Sequence, residues 1–167
     1  MEFSRHVSRM LHEEHMAALS LLERLESMVQ GTVPSEPPDL ADGPVIRLFG
    51  DLKAAIEGEI SNHFEFEESE LFPCLAKAGD GDLGELLSEE HKVILPLGRR
   101  LAELAGTARA GDMTVENWQE FRRSGAEFIE RLRSHIEKEE MGLIASVEDA
   151  IDEEEDFRLA ERYANSR

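Results

Sequence analysis

Basic side chains are scarce in this chain: 18 Lys and Arg stand against 37 Asp and Glu, a formal net charge of −19. Such a surface repels phosphate backbones and anionic lipid, which argues against nucleic acid or a charged membrane as a partner. Cysteine is scarcer still. Cys74 is the single one, so no internal disulfide framework exists and a reducing compartment is the natural setting. No run approaches the ~20 apolar residues that span a bilayer. Residues 1–10, which include Glu2, Arg5, His6 and Arg9, lack the apolar centre of a secretory signal. A cytoplasmic protein is the expectation. No alternating pattern long enough for a β-strand is present, and the only Tyr and Trp, Tyr163 and Trp118, lie far in sequence from the histidine-bearing turns described below.

What is there is helical spacing. The 167 residues fit one domain with a substantial core, and 41% hydrophobic content argues against disorder. Over residues 4–30, Val7, Leu11, Ala18, Leu22, Leu25 and Val29 recur at helical intervals, with Ser4 as the expected cap and Gly31 with the 34–38 prolines as the end. A second helix is predicted from Pro44, with Leu48, Leu52, Ile56, Ile60, His63, Glu67 and Leu71 on one stripe and Pro73 disturbing its end. A third should start at Asp82, which with Glu85 makes a capping box, and kink at Pro96. A fourth should open at Asp112 or Thr114 and carry Trp118, Phe121, Phe128, Leu132, His135, Glu139 and Leu143. The expected fold is all-α, an antiparallel up-down four-helix bundle over 1–147. An acidic helical tail over 148–167 follows, either as a short fifth helix or as a continuation of the fourth. Its 152–156 run is expected as a solvated face, leading into an amphipathic stretch through Phe157, Ala160 and Tyr163.

The polar residues on these stripes repeat. His63 and Glu67 share the His-x3-Glu spacing of His135 and Glu139, and each spacing aims an imidazole and a carboxylate from one face of a helix. His15 and His91 stand in matching Glu-His pairs, Glu14-His15 and Glu90-His91. The likeness extends outward: His15, Leu19, Leu21, Arg24 and Leu25 recur 76 positions later, while Phe49, Ile56, Ile60, His63, Glu67, Glu68 and Leu71 have counterparts 72 positions later. An approximate duplication with two-fold symmetry follows.

Inward-facing carboxylates among imidazoles are costly without a counter-charge, by at least several kcal/mol per unpaired ion. A dication removes the conflict, since carboxylates and neutral imidazoles are both its ligands. Four His and two Glu exceed the four ligands of one tetrahedral zinc and suit two metals, with mixed N/O ligation favouring non-haem iron and manganese next. Glu14, Glu68, Glu90 and Glu140 are expected as outer groups orienting neighbours or as solvated acids. His6 is expected at the surface, His12 exposed or in a supporting role, and Phe64, Phe66 and Phe72 in the core, drying the pocket. Cys74 has no cationic neighbour in sequence to activate it.

On these residues, and on the run His63-Phe64-x2-Glu67-Glu68-x2-Leu71-Phe72-Pro73, the chain resembles the hemerythrin-like family, also called the HHE cation-binding domain, up to about Val147. The resemblance implies two non-haem irons cycling between Fe2+ and Fe3+, bridged by Glu67 and Glu139 and by an oxo or hydroxo group. His15 and His63 would hold one, His91 and His135 the other. It further implies binding or sensing of a small diatomic ligand, O2 or NO, with a redox or signalling partner unspecified. A di-iron oxidase, peroxidase or NO-detoxifying enzyme is the alternative, and iron storage or delivery a third. Oxygen-carrying hemerythrins have a histidine where this chain has Leu87, and end their last motif in His-x4-Asp where this chain has His135-x3-Glu139. That departure favours a symmetric 4-His/2-Glu centre over reversible oxygen carriage.

Overall fold

A computed structural model describes residues 3–165; Met1, Glu2, Ser166 and Arg167, which belong to the expected N-terminal stretch and acidic tail, lie outside them. The described residues form helices and no strands. Helix α1 is His6–Gln30. Helix α2 is one continuous rod over 43–77, built from α-helical Gly43–Ala55, Ser61–Phe66 and Phe72–Lys77 with wider π-turns at Ile56–Ile60 and Glu67–Leu71 between them. Helix α3 is Asp82–Arg109. Helix α4 runs over 115–150 as Val115–Lys138, a π-turn at Glu139–Leu143, and Ile144–Ala150. Helix α5 is Glu153–Asn165. Rods α1 to α4 each pack on two of the others, α1 on α2, α2 on α3, α3 on α4 and α4 back on α1, while α5 lies on α1. Among the described residues no helix is long and apolar enough to cross a membrane.

Local chemistry explains the element ends, with corrections. Thr114 caps α4 by accepting the Asn117 N–H at 3.1 Å. Asp82 does not cap α3; Gly81 takes that position and Asp82 becomes the first helical residue, placing its charge with that of Glu85 at the positive end of the helix dipole. Ser4 does not cap α1 either. Arg5 takes the cap, and the Ser4 and Arg5 N–H groups donate to Glu148 of α4 at 2.9 and 3.1 Å. Helix α3 continues through Pro96 to Arg109. Helix α4 stops at Ile151, whose backbone is extended, and α5 is therefore a separate helix. Its acidic first turn is not all solvated: Asp156 is buried and accepts the His6 and Val7 N–H groups at 2.9 and 3.0 Å, satisfying two orphan donors of α1. Phe157 is 66% exposed, and Leu159 makes the inward contact instead.

The core is divided. One apolar cluster contains Leu22, Leu25, Phe49, Leu52, Trp118 and Phe128. The other contains Leu11, Phe66, Leu71, Leu87, Leu143 and Tyr163. Each of α1 to α4 passes from one cluster to the other, and the residues at the crossing are polar: His15, His63 with Glu67, His91, and His135 with Glu139.

Candidate metal centre

All six predicted residues meet in this layer. Each is at most 5% exposed, and Glu67, His91, His135 and Glu139 are fully buried. Donor atoms of Glu67, His91, His135 and Glu139 lie within 4.8 Å of one another, as do those of His15, His63 and Glu139. His15 Nε2 is 3.0 Å from Glu139 Oε2, and His135 Nε2 is 2.8 Å from Glu139 Oε1. His63 Nε2 and His91 Nε2 are 3.3 and 3.4 Å from the two oxygens of Glu67. Each glutamate thus reaches one histidine of each sequence half.

The outward edges of the rings are equally defined. His15 Nδ1 is 2.6 Å from Glu140, His63 Nδ1 2.7 Å from Glu14, His91 Nδ1 2.8 Å from Glu68, and His135 Nδ1 2.9 Å from Glu90. Every histidine is held by a carboxylate from the preceding rod, with α4 serving α1, so the four contacts close a ring around the bundle. An ionised carboxylate only accepts, so each Nδ1 carries a proton and each Nε2 is left facing the interior.

This protonation pattern makes the centre a test for a cation. His91 and His135 bring their Nε2 atoms to 3.0 Å of each other. Among the described residues, no hydrogen bond reaches any of the four oxygens of Glu67 and Glu139, nor His15 Nε2. Lone pairs facing lone pairs and buried carboxylates repel unless protons or a metal ion stand between them. Donors about 2.1 Å from an octahedral ion are about 3.0 Å apart at right angles, and the inward donor pairs here are 2.8 to 3.4 Å apart. The donor set fits a metal. Protons are the competing occupant: burial opposes charge on His63 and His135, yet the neighbouring Glu67 and Glu139 outweigh it and raise both imidazoles above their ordinary value. Burial likewise pushes Glu139 up, but His135 and His15 overcome it and hold its carboxyl far below the usual range.

Both acids of the layer open a π-turn, Glu67–Leu71 in α2 and Glu139–Leu143 in α4. A π-turn adds a residue to the helical repeat and shifts the following side chains relative to the preceding ones. Sequence reasoning did not foresee these turns. Pro73, which has no N–H to offer Ser69, and Gly142, where an added Cβ would lie 3.0 Å from Leu83, were the available signals.

The two sides differ in cover. Phe64 stacks on His91 with centroids 3.7 Å apart, and Phe72 lies 5.9 Å from the same ring. On the other side a half-open cavity of about 570 Å³ between α1 and α2 reaches His15, His63 and Glu139, with Ala18, Leu21 and Ala55 among its walls. His12 is half-buried and shares Glu140 with His15, its Nδ1 being 2.8 Å away. His6 stays 64% exposed against Asp156. Tyr163 contradicts its distance in sequence, because its hydroxyl donates to Glu14 at 2.5 Å. Leu87, at the position of the absent fifth histidine, is fully buried in apolar surroundings.

Fold and centre together define a helical cation-binding protein. The family model of the hemerythrin HHE cation binding domain matches residues 6–147, and the chain belongs to that family. Comparison with curated proteins gave no match.

Proposed function

We propose that this centre holds two non-haem iron ions, His15 and His63 binding one, His91 and His135 the other, with Glu67 and Glu139 shared. The observation that carries the reading is the set of four carboxylate oxygens, fully buried, ringed by imidazole Nε2 atoms and without a hydrogen bond among the described residues. Iron supplies a reversible ferrous–ferric couple and an open position for O2 or NO when bound. The chain's own part is to present neutral imidazoles and charged carboxylates in a dry layer. Glu14, Glu68, Glu90 and Glu140 hold the rings by their Nδ1 protons, which orients each Nε2 and raises its basicity. Phe64 and Phe72 exclude water from the His91 side, leaving the cavity beside His15 and His63 as the approach for a diatomic ligand.

The size of that cavity supports a second reading. A volume of about 570 Å³ lies in the range of small-molecule sites and exceeds what two atoms need. An oxidase or peroxidase acting on an apolar molecule would use the same opening. Anaerobically reduced protein separates the two. An O2 or NO adduct whose absorption disappears under vacuum supports binding or sensing; irreversible oxidation with peroxide turnover supports the enzyme. If reduced protein shows no spectral response to either gas, both readings fail.

A further inference from the structure

We infer that Tyr163 is a positioning residue for the His15/His63 half of the centre, acting through Glu14; the inference rests on the metal-binding reading above. Tyr163 lies on α5, beyond the stretch 6–147 that the family model covers. Its side chain is 1% exposed and its ring packs on Phe66 with centroids 4.4 Å apart. The hydroxyl donates to Glu14 Oε2 at 2.5 Å, and that same oxygen lies 2.7 Å from His63 Nδ1. A phenol, a carboxylate and an imidazole therefore form one chain from the last helix to a ring whose Nε2 faces the interior.

The internal duplication supplies a control. Glu90 holds His135 as Glu14 holds His63, but the outer partner of Glu90 is the Lys138 ammonium at 2.8 Å. Burial alone would raise the Glu90 carboxyl; Lys138 and His135 outweigh it and lower it. The equivalent rings are thus backed by a neutral donor on one side and a cation on the other. Inner layers obey the two-fold symmetry and the outer layer breaks it. A carboxylate already fixed by a buried hydroxyl cannot swing toward solvent, so the His63 ring keeps its aim. Removal of one such outer support commonly costs about 10- to 100-fold in metal affinity.

Helix α5 has other anchors, namely Asp156 on the first N–H groups of α1 and the fully buried Leu159. Tyr163→Phe, which keeps the ring and deletes the hydroxyl, therefore leaves α5 docked. The test titrates Co2+ into metal-free wild type, Tyr163→Phe and Lys138→Met, following visible absorption, and records thermal melting of each metal-free protein. The expected result is one of two Co2+ equivalents weakened about tenfold in Tyr163→Phe, the other equivalent weakened in Lys138→Met, and little change in metal-free melting. Wild-type affinity at both positions in Tyr163→Phe, or equal losses at both, overturns the inference. NMR of the metal-free proteins gives a readout independent of metal. The His63 Nδ1 proton should shift or vanish in Tyr163→Phe while that of His135 does not move; an unchanged His63 signal overturns the positioning role. Failure of the wild type to bind metal would instead count against the proposed function, and the NMR comparison would still decide the role of Tyr163.

Discussion

Stripping metal from the centre should destabilise the protein by an amount that its burial pattern sets. Glu67 and Glu139 are fully buried, and loss of a dication leaves their charges to be met by protons on the surrounding imidazoles. A ligand that binds only the folded chain stabilises it by about 2.7 kcal/mol at a free concentration of 100 Kd. Two such sites give about 5 kcal/mol. For a chain of 150–250 residues, each kcal/mol moves Tm by about 2–4 °C, so a chelator should lower Tm by about 10–20 °C. The ligands must be deprotonated to bind metal, so protons compete with it. Because Glu67 and Glu139 raise His63 and His135 above the ordinary imidazole value of about 6.5, the gap between loaded and stripped protein should keep widening as pH rises above that value. Differential scanning calorimetry with and without chelator at a series of pH values measures this. Equal Tm values, or a gap independent of pH, would refute the reasoning.

Further expectations concern the scaffold. Burial opposes the charge on Glu148, but hydrogen bonds from the Ser4 hydroxyl and from the Ser4 and Arg5 N–H groups outweigh it and hold the carboxyl down at about 2. A depressed carboxylate stabilises the fold above its unfolded value and loses this as pH falls through the folded one. Glu148→Gln should thus be less stable than wild type in urea at neutral pH, with the difference closing from about pH 4.5 to about pH 2; a constant difference would contradict the assignment. At Gly98 an added Cβ would lie 2.9 Å from Phe128, so Gly98→Ala should lose about 1 kcal/mol, overpacking exceeding the gain in helix propensity. At Gly58 nothing lies within 4 Å of an added Cβ, and Gly58→Ala should gain about 0.5 kcal/mol; chemical denaturation of the two variants checks the opposite signs. Burial raises the Cys74 thiol to about 11, and Glu155, which accepts its S–H, adds to this. Alkylation at neutral pH should be slow and should accelerate in Glu155→Gln; an unchanged rate would show that Glu155 plays no part.

The sequence revealed the inner layer better than what supports it. His63 with Glu67 and His135 with Glu139 were readable because both members of each pair lie on one helix, where spacing alone dictates direction. Glu14, Glu68, Glu90 and Glu140 were recognised only as neighbours of those residues. Their partners are histidines on adjacent rods, and helical periodicity carries no information about which rods adjoin. Tyr163 was further out of reach: nothing local connects it to Glu14, and only the turn at Ile151 brings α5 back along α1. Asp156 was read as part of a solvated acidic run because the four residues before it are all acids, yet it accepts the first N–H groups of α1. The expected cap Ser4 failed for a related reason. Backbone donors at a helix start donate to whichever oxygen the tertiary structure brings: Asp156 accepts the His6 and Val7 N–H groups, and the Ser4 hydroxyl itself donates to Glu148.

Elemental analysis of protein purified without added metal tests the central claim most directly. Two iron atoms per chain is the predicted result, falling in proportion when Glu139 is replaced by Ala and unchanged in His12→Ala. A chain that folds with no bound metal, or with a single zinc, would contradict a dinuclear centre built from His15, His63, Glu67, His91, His135 and Glu139.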